Sequence, residues 1–247
     1  MSGPVDYQLF EAAHDGSVSE VSSLLRDHPG IDGHAALHGA SKHGYVEVVK
    51  LLLAHPNINI NLKDIHGQTP LSIGCQYGKV SVVRLLLQDP RVDIRLGDYM
   101  GRTPLWLASC NGKHEVVEWF IASGRDLGDV MNKKGKSVQD YKDYTALEIA
   151  REKSKTEVVS LLERFITNPA QTRHELRVKL GVLDELAAEV FAMTVFLCDD
   201  LLQLKPAPLA PTPSNPKAAA TRFFVIASKL PKELQMILCF RVVVSMK

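Results

Sequence analysis

Hydrophobic and glycine positions recur along the chain at a fixed spacing. Three separate columns of residues, one of leucine, one of glycine and one of valine, repeat every 34 residues. The columns are Leu37, Leu71 and Leu105; Gly44, Gly78 and Gly112; and Val49, Val83 and Val117. Three columns that share one period indicate an array of repeated structural units.

The same columns continue outside the strict register. Leu9, Gly16 and Val21 precede the second-unit residues by 28 positions, whereas Leu147 and Val159 follow the fourth-unit residues by 42. The first connection is therefore six residues short and the last is eight residues long. We interpret residues 6–167 as five units, at about 6–33, 34–66, 67–100, 101–140 and 141–167.

Each unit has the pattern of two short helices. Thr69 and Pro70 suit a helix start, since threonine accepts from unpaired N–H groups and proline is tolerated in the first turn. Gly78 favours the end of this helix, and an apolar second helix follows over 80–87. Because helices this short cannot bury an apolar face alone, we expect helix pairs to stack every 34 residues between Ala35 and Gly124.

A different pattern starts at Pro169. Residues 170–204 have apolar positions at helical spacing, and the stretch 182–197 is apolar on nearly every side, which predicts a buried helix. This helix could cap the repeats, self-associate, or pack against the final segment near Phe223, Phe224 and Leu238. Residues 205–219 hold five prolines and read as a linker, and 220–247 predict two short helices.

Composition narrows the possible functions. The 29 Lys and Arg against 28 Asp and Glu leave a net charge of +1, so we expect no nucleic-acid and no membrane partner. The sequence has no basic, apolar N-terminal signal and no apolar run long enough to span a membrane. Four scattered cysteines suggest free thiols in a reducing compartment. Together these features predict a soluble cytoplasmic protein, with the nucleus as an open alternative.

No motif predicts catalysis, a cofactor or a metal site. None of the nine histidines lies in an HExxH or HxE pattern, and GxSxG, P-loop and GxGxxG motifs do not occur. The glycines fall at the repeat period, which marks turns and not phosphate-binding loops. We therefore expect a protein that is not an enzyme.

The repeat resembles the ankyrin repeat, with its period near 33 and its T-P-L-H-x-A signature. The central unit carries this resemblance in residues 64–72, in Gly78 and in residues 82–87. The resemblance covers 6–167 and implies an all-α ankyrin-repeat solenoid with short β-hairpin fingers, followed by a helical C-terminal extension. Only His38 keeps the signature histidine, and Ser72, Trp106 and Glu148 replace it. We therefore expect the hydrogen bonds of that histidine to be patchy along the array.

The resemblance also implies the function, since ankyrin proteins usually bind a partner protein through the fingertips and the exposed, concave face of the first helices. We expect Tyr77, Tyr99 and Met100 to be the main anchors, because exposed aromatic and apolar groups are typical of interfaces. Tyr99 and Met100 could instead pack on a neighbouring fingertip. The positions that match this surface are His34, Lys42, His43, Ile65, His66, Gln68, Gln76, Tyr77, Tyr99, Met100, Arg102, Cys110, Asn111 and, less directly, Tyr141, Lys142 and Tyr144.

Two further segments have more than one interpretation. The insertion between Gly124 and Tyr144 is rich in glycine and lysine, which predicts a solvated loop whose Lys133, Lys134 and Lys136 could attract an acidic partner. Residues 230–238 resemble the opening of an F-box, so an adaptor that recruits a ubiquitin ligase through 230–247 is an alternative function. Proline at a helix start explains the same letters. Residues 172–181 resemble a segment of fungal ankyrin proteins, a likeness that implies no activity.

Overall fold

The computed structural model describes residues 3–182, which form twelve helices and two short strands. Eleven of the helices and both strands cover the repeats and the insertion, and the last helix follows them. The elements are α1 Pro4–His14, α2 Val18–Asp27, α3 His34–His43, α4 Val46–Ala54, α5 Pro70–Tyr77, α6 Val80–Gln88, α7 Pro104–Cys110, α8 His114–Ala122, α9 Gly128–Asn132, β1 Gly135–Lys136, β2 Asp143–Tyr144, α10 Ala146–Glu152, α11 Thr156–Thr167 and α12 Pro169–Lys179.

Threonine hydroxyls fix where the first helices of the later units begin. Thr69 Oγ1 accepts from the Ser72 N–H at 3.2 Å, and Thr103 Oγ1 accepts from the Trp106 N–H at the same distance. Thr145 completes a reciprocal cap, in which the Glu148 carboxylate accepts from the Thr145 N–H at 2.8 Å. These bonds satisfy N–H groups that have no partner inside the helix, as the Thr-Pro pattern predicted.

The helices form two rows. The first helices of successive units, α1, α3, α5, α7 and α10, pack side by side, and the second helices α2, α4, α6, α8 and α11 form a parallel row behind them. The second helices α4, α6 and α8 begin at residues 46, 80 and 114, which is the predicted 34-residue spacing. The leucine and valine columns lie buried between the rows. The prediction of an all-α solenoid is confirmed.

The turns between units differ from the hairpin strands expected for the fingers. In the third unit, the Asp64 carboxylate accepts from the N–H groups of His66 and Gln68, each at 2.8 Å. The turn is also closed by backbone bonds, from the Asp64 N–H to the Gln68 carbonyl and from the Gly67 N–H to the Asp64 carbonyl, each at 2.9 Å. The side-chain bonds add to this local closure. In the part of the chain that the structure describes, a finger takes strand form only where β1 pairs with β2, with Gly135 opposite Tyr144.

The insertion before the fifth unit is more ordered than a solvated loop. Leu127, Val130 and Met131 are buried, and the short helix α9 carries the last two of these side chains. The prediction of a loop is wrong over this stretch, because three apolar residues spaced for one helical turn outweigh the surrounding glycines and lysines. Lys133, by contrast, is exposed and donates to the Arg95 carbonyl at 3.0 Å.

A serine stands where the other first helices end in glycine. Gly78 and Gly112 adopt positive φ angles of 69° and 65°, and Ser154 has φ 54° at the equivalent position of the fifth unit. Its N–H donates to the Arg151 carbonyl, and the Lys155 N–H donates to the Ala150 carbonyl at 2.8 Å. The chain therefore keeps the same left-handed helix end with a residue that is less suited to it.

Helix α12 packs on both α8 and α11, and so contacts two successive units. Arg177 Nε donates to the Ala122 carbonyl at 2.9 Å, and Lys179 Nζ lies 2.6 Å from a carboxylate oxygen of the largely buried Glu118. Leu176 is buried between these contacts. The helix predicted from residue 170 is therefore present up to Lys179.

Several predictions concern residues outside the described range. These are the buried helix and possible self-association over 182–197, the linker 205–219, the short helices of 220–247 and the F-box-like stretch 230–247. They stay predictions, as do the exact boundaries of the five units.

Candidate functional site

An open cleft of about 420 Å³ lies on the surface formed by the first helices and the turns that precede them, which we call the first-helix face. It runs across the third, fourth and fifth units. Seven predicted binding residues line it: His66, Gln68, Gln76, Tyr77, Arg102, Cys110 and Asn111. Six further residues complete the lining: Trp106, Leu107, Ser137, Val138, Gln139 and Lys153.

The six additional residues show what the repeat pattern missed. Ser137, Val138 and Gln139 belong to the insertion, and Lys153 follows α10. The insertion has no counterpart in the other units, so no column of the sequence aligned Ser137, Val138 and Gln139 with the fingertips. Trp106 and Leu107 lie in register, and Lys153 follows Asn111 by the 42 residues of the displaced fifth unit, so the columns contained these three positions. Within the insertion, the weak signal in the sequence was Val138, a lone apolar residue among polar neighbours, and the structure leaves it 57% exposed.

Arg102 is held rigidly at the cleft. Its Nε donates to Asp98 Oδ2 at 2.6 Å, and its guanidinium lies 5.8 Å from the centre of the Trp106 ring. The Asp98 side chain is completely buried and also accepts from the Met100 and Arg102 N–H groups at 2.9 and 3.0 Å. The Arg102 charge is therefore neutralised within the protein, and the planar group is fixed for contact with a ligand.

Trp106 replaces the signature histidine in function as well as in position. In the second unit, His38 Nε2 lies 3.1 Å from the Gln68 carbonyl, one residue before the next helix cap. In the fourth unit, Trp106 Nε1 donates at 2.8 Å to the carbonyl of Tyr144, which also precedes the next cap. The expected loss of this bond is therefore wrong at Trp106, because the longer indole reaches the same backbone position. Ser72 instead bonds only to its own cap, the Thr69 hydroxyl.

A hydrogen bond to Asp140 fixes the Tyr144 ring beside this tryptophan. The Tyr144 hydroxyl donates to Asp140 Oδ2 at 2.5 Å, which raises the pKa of Tyr144 to about 12 and lowers the pKa of Asp140. Tyr144 packs with Trp106, Leu107 and Cys110 in a small apolar cluster that is separate from the main core. Tyr144 thus supports the cleft from the side and does not line it.

Three exposed apolar side chains lie on or next to the cleft. Tyr77 is 45% exposed, with the Lys42 ammonium 5.6 Å from its ring centre, and Ile65 is 87% exposed on the adjoining turn. Tyr99 is 74% exposed, yet its backbone and ring press on Gly67 of the neighbouring turn. Tyr99 therefore makes the fingertip contact considered above and keeps most of its surface free. Met100 is half-buried, and its carbonyl accepts from the Lys136 N–H at 2.8 Å.

The predicted histidines of the second unit lie apart from the cleft. His34 pairs with Asp32, and its Nε2 accepts from the Asn59 N–H at 3.3 Å. His43 stacks on Tyr45 with ring centres 5.7 Å apart, and burial lowers the pKa of His43. Both histidines thus have contacts within the array, although His43 Nε2 is buried with no hydrogen-bond partner among the described residues. Of the other predicted residues, Tyr141 and Lys142 are exposed on the insertion.

The repeated architecture agrees with a comparison to known families. A family model described as ankyrin repeats in three copies matches residues 7–64 and 58–131, which together make up just over half of the chain. The chain belongs to the ankyrin-repeat family. The ankyrin array continues past the matched residues, because α10 packs on α7 and α11 packs on α8.

Ankyrin repeats are generally protein–protein interaction modules. Among residues 3–182, no helix combines the length and apolar character needed to cross a bilayer, and no group of His, Cys, Asp and Glu is arranged to hold a metal ion. The cytoplasmic location and the fungal resemblance stay predictions.

Proposed function

We propose that this ankyrin protein binds a partner protein through the first-helix face, with the cleft of the third to fifth units at the centre of the contact. One observation carries the proposal: the open cleft of about 420 Å³ has exposed apolar side chains at Tyr77 and, on the adjoining turns, at Ile65 and Tyr99. Aromatic groups at a partly enclosed surface are the residues that most often dominate protein binding energy.

The polar groups of the cleft support this proposal, because they are already positioned. Gln68 Nε2 donates to Gln76 Oε1 at 2.6 Å, and Asn111 Nδ2 donates to the Leu107 carbonyl at 2.8 Å. Together with Arg102, these side chains are held by neighbours in the protein itself. Because these side chains are already ordered, binding a partner costs less side-chain entropy than it would on a flexible surface.

The chemistry of the cleft favours binding over catalysis. Its one thiol is Cys110, and burial raises the pKa of that thiol, so the group stays protonated near neutral pH. The imidazole of His66 belongs to an exposed turn, and no described residue hydrogen-bonds to it as the partner of an activated base does. The cleft is also open to solvent, whereas most catalytic centres exclude water.

The proposal is tested by affinity capture from the native host followed by mass spectrometry, with the full chain as bait. The Tyr77→Ala/Tyr99→Ala variant should fold normally and lose the captured partner, since removing two anchors costs about 2 kcal/mol or more, roughly thirtyfold in affinity. Ile166→Ala/Val178→Ala is the matched control, because both side chains are exposed and apolar but lie on α11 and α12.

The control variant should retain the partner at the wild-type level. Circular dichroism and the unfolding midpoint establish that all three proteins are folded. If the tyrosine variant captures the same proteins in the same amounts as the wild type, the first-helix face is not the binding surface.

A further inference from the structure

Within residues 3–182, five lysines on and beside the first-helix face have no carboxylate partner. Ion pairs neutralise many other cations in residues 3–182, including Lys50 with Glu47 and Lys179 with Glu118. No such pair involves any of the five, within the part of the chain that the structure describes. The five lysines are Lys42, Lys79, Lys113, Lys153 and Lys155.

Three of these lysines form a row that follows the repeat. Each is the first residue after the left-handed end of a first helix. Its side-chain stem lies over the glycine that ends the first helix of the preceding unit. A methyl group added to Gly78 would lie 2.8 Å from Cδ of Lys113, and one added to Gly112 would lie 2.8 Å from Cδ of Lys155. Lys79 covers Gly44 in the same way. Packing of the apolar stems fixes the positions of the three lysines, and their ammonium groups stay available to a carboxylate of a partner.

The positive charge extends into the cleft. Lys153 lines it, and its ammonium donates to the amide oxygen of Gln139, which carries no charge. Burial raises the pKa of the Cys110 thiol, and the charges of Lys153, Arg102 and Lys155 oppose this effect. The lining residues include no Asp and no Glu, and the Arg102 charge is already balanced by Asp98. The cleft thus has a cation and no anion of its own.

The remaining lining groups suit an extended peptide. The side-chain amides of Gln76, Asn111 and Gln139 can donate to and accept from main-chain groups. The exposed side chains of Tyr77 and Val138 offer apolar contact. A nucleic acid fits less well, because the whole chain has a net charge of only +1 and lacks the strongly basic balance of such proteins. Complementary charge is the usual means by which an interface selects and orients its partner.

Resting on the function proposed above, we infer that the partner segment is an extended acidic peptide. One Asp or Glu pairs with Lys153 in the cleft, and an adjacent aromatic or aliphatic side chain contacts Tyr77 and Val138. Further carboxylates face the row Lys79, Lys113 and Lys155. The apolar contacts supply affinity, and the lysines supply selection for acidic sequences.

The experiment is selection from a display library of random peptides of about ten residues, which span about 33 Å when extended, on the immobilised full chain. Selected sequences should be enriched in Asp and Glu next to an aromatic or aliphatic residue. In fluorescence polarisation with a selected peptide, Lys153→Gln should weaken binding about threefold to tenfold, as should Lys113→Gln/Lys155→Gln. Lys50→Gln is the control and should leave affinity unchanged. Binding should weaken as NaCl rises from about 0.05 M to about 0.5 M.

The outcomes separate this inference from the proposed function. Neutral or basic sequences whose binding depends on Tyr77 and Tyr99 would overturn the acidic peptide and leave the binding face standing. Selection of no peptide would also overturn the inference, while partner capture would continue to test the face. Selected peptides that bind equally well to the Tyr77→Ala/Tyr99→Ala variant would overturn the face itself. Displacement of the acidic peptide by single-stranded DNA or by phosphatidylserine vesicles at lower concentration would assign the lysines to a different partner class.

Discussion

The contact between two successive fingertips makes Gly67 the position where a single added methyl group should be most informative. Gly67 has φ +76°, and a Cβ atom there would lie 2.7 Å from the backbone nitrogen of Tyr99 and 2.8 Å from its Cγ. Ordinary contact begins near 3.4 Å, so the next turn would have to move by about 0.7 Å. Gly67→Ala therefore combines an unfavourable backbone conformation with a steric clash against backbone.

Two other glycines separate these effects. Gly44 has φ +87°, but the nearest atom to an added Cβ is Cδ of Lys79 at 3.1 Å, the far part of a flexible side chain. Gly30 does not have a positive φ, and nothing lies within 4 Å of an added Cβ. Gly44→Ala thus tests the cost of the left-handed backbone conformation with little steric clash. Gly30→Ala introduces neither the conformational cost nor a clash.

The three variants should differ in a fixed order of stability. The left-handed conformation costs a residue with Cβ about 1–2 kcal/mol, whereas alanine lowers the entropy of the unfolded chain by the equivalent of about 0.4–1 kcal/mol. Gly30→Ala should therefore be neutral or slightly stabilising, and Gly44→Ala should lose about 1 kcal/mol. Overpacking adds about 1–3 kcal/mol, so Gly67→Ala should lose about 2–4 kcal/mol. For a chain of this size each kcal/mol lowers the melting temperature by about 2–4 °C.

Urea unfolding followed by helical circular dichroism measures these differences, and thermal melts provide a second measure. A difference of less than about 0.5 kcal/mol between Gly67→Ala and Gly44→Ala, which is the usual scatter of surface substitutions, would contradict the predicted clash with Tyr99. In that case the turn that carries Tyr99 would adjust without cost. Loss of stability in Gly30→Ala would contradict the use of this position as a control.

Three further predictions concern single residues. Trp106→Phe should lose about 1 kcal/mol of unfolding free energy in urea, because the Tyr144 carbonyl loses its donor; an unchanged midpoint would contradict that role. Ser154→Gly should gain about 0.5 kcal/mol, since it relieves the left-handed strain at φ 54° but raises the entropy of the unfolded chain; a lower midpoint would contradict the strain. Burial, and then the nearby charge of His14, lower the pKa of His43 from its ordinary 6.5. The unfolded chain then binds the proton more readily, so stability is complete above about pH 6.5 and falls below it. Urea unfolding between about pH 7.5 and about pH 5 should show a smaller loss in His43→Gln than in the wild type, and equal losses would contradict this effect.

The periodic part of the fold could be predicted because each unit repeats the same buried apolar positions and the same kind of helix start. Valine and leucine columns bury one face of each helix, and the Thr-Pro pair sets where the first helix starts. These features are local, so their spacing in the sequence is their spacing in the structure. The start of α12 at Pro169 is equally local, since Asn168 caps it through the Gln171 N–H.

The cleft was predicted only where it follows the repeat. Gln76 and Asn111 occupy register positions and were found, whereas Gln139 comes from the insertion, which has no counterpart in the other units. Lys153 follows Asn111 by the 42 residues of the displaced fifth unit, so its position could have been found from the columns. The contacts of Gln139 depend on how α9 and the β1–β2 hairpin fold the insertion back onto the array, and they leave no period in the sequence. The bond from Trp106 to Tyr144 follows the register of the His38 bond, but the signature does not show that an indole can make it.

The contact of α12 with two units gives the array a direction of unfolding. In a stack where each unit touches only its neighbours, either end can detach at the cost of one interface. Here α12 follows the last helix pair, α10–α11, and also binds α8 of the fourth unit through Arg177 and Lys179. The α10–α11 pair therefore cannot detach while α12 stays bound to α8. Within residues 3–182, the α1–α2 pair packs against one neighbouring pair, α3 and α4. Backbone amides of α2 should therefore exchange with deuterated water before those of α11, and fluctuations should enter the array from its N-terminal end.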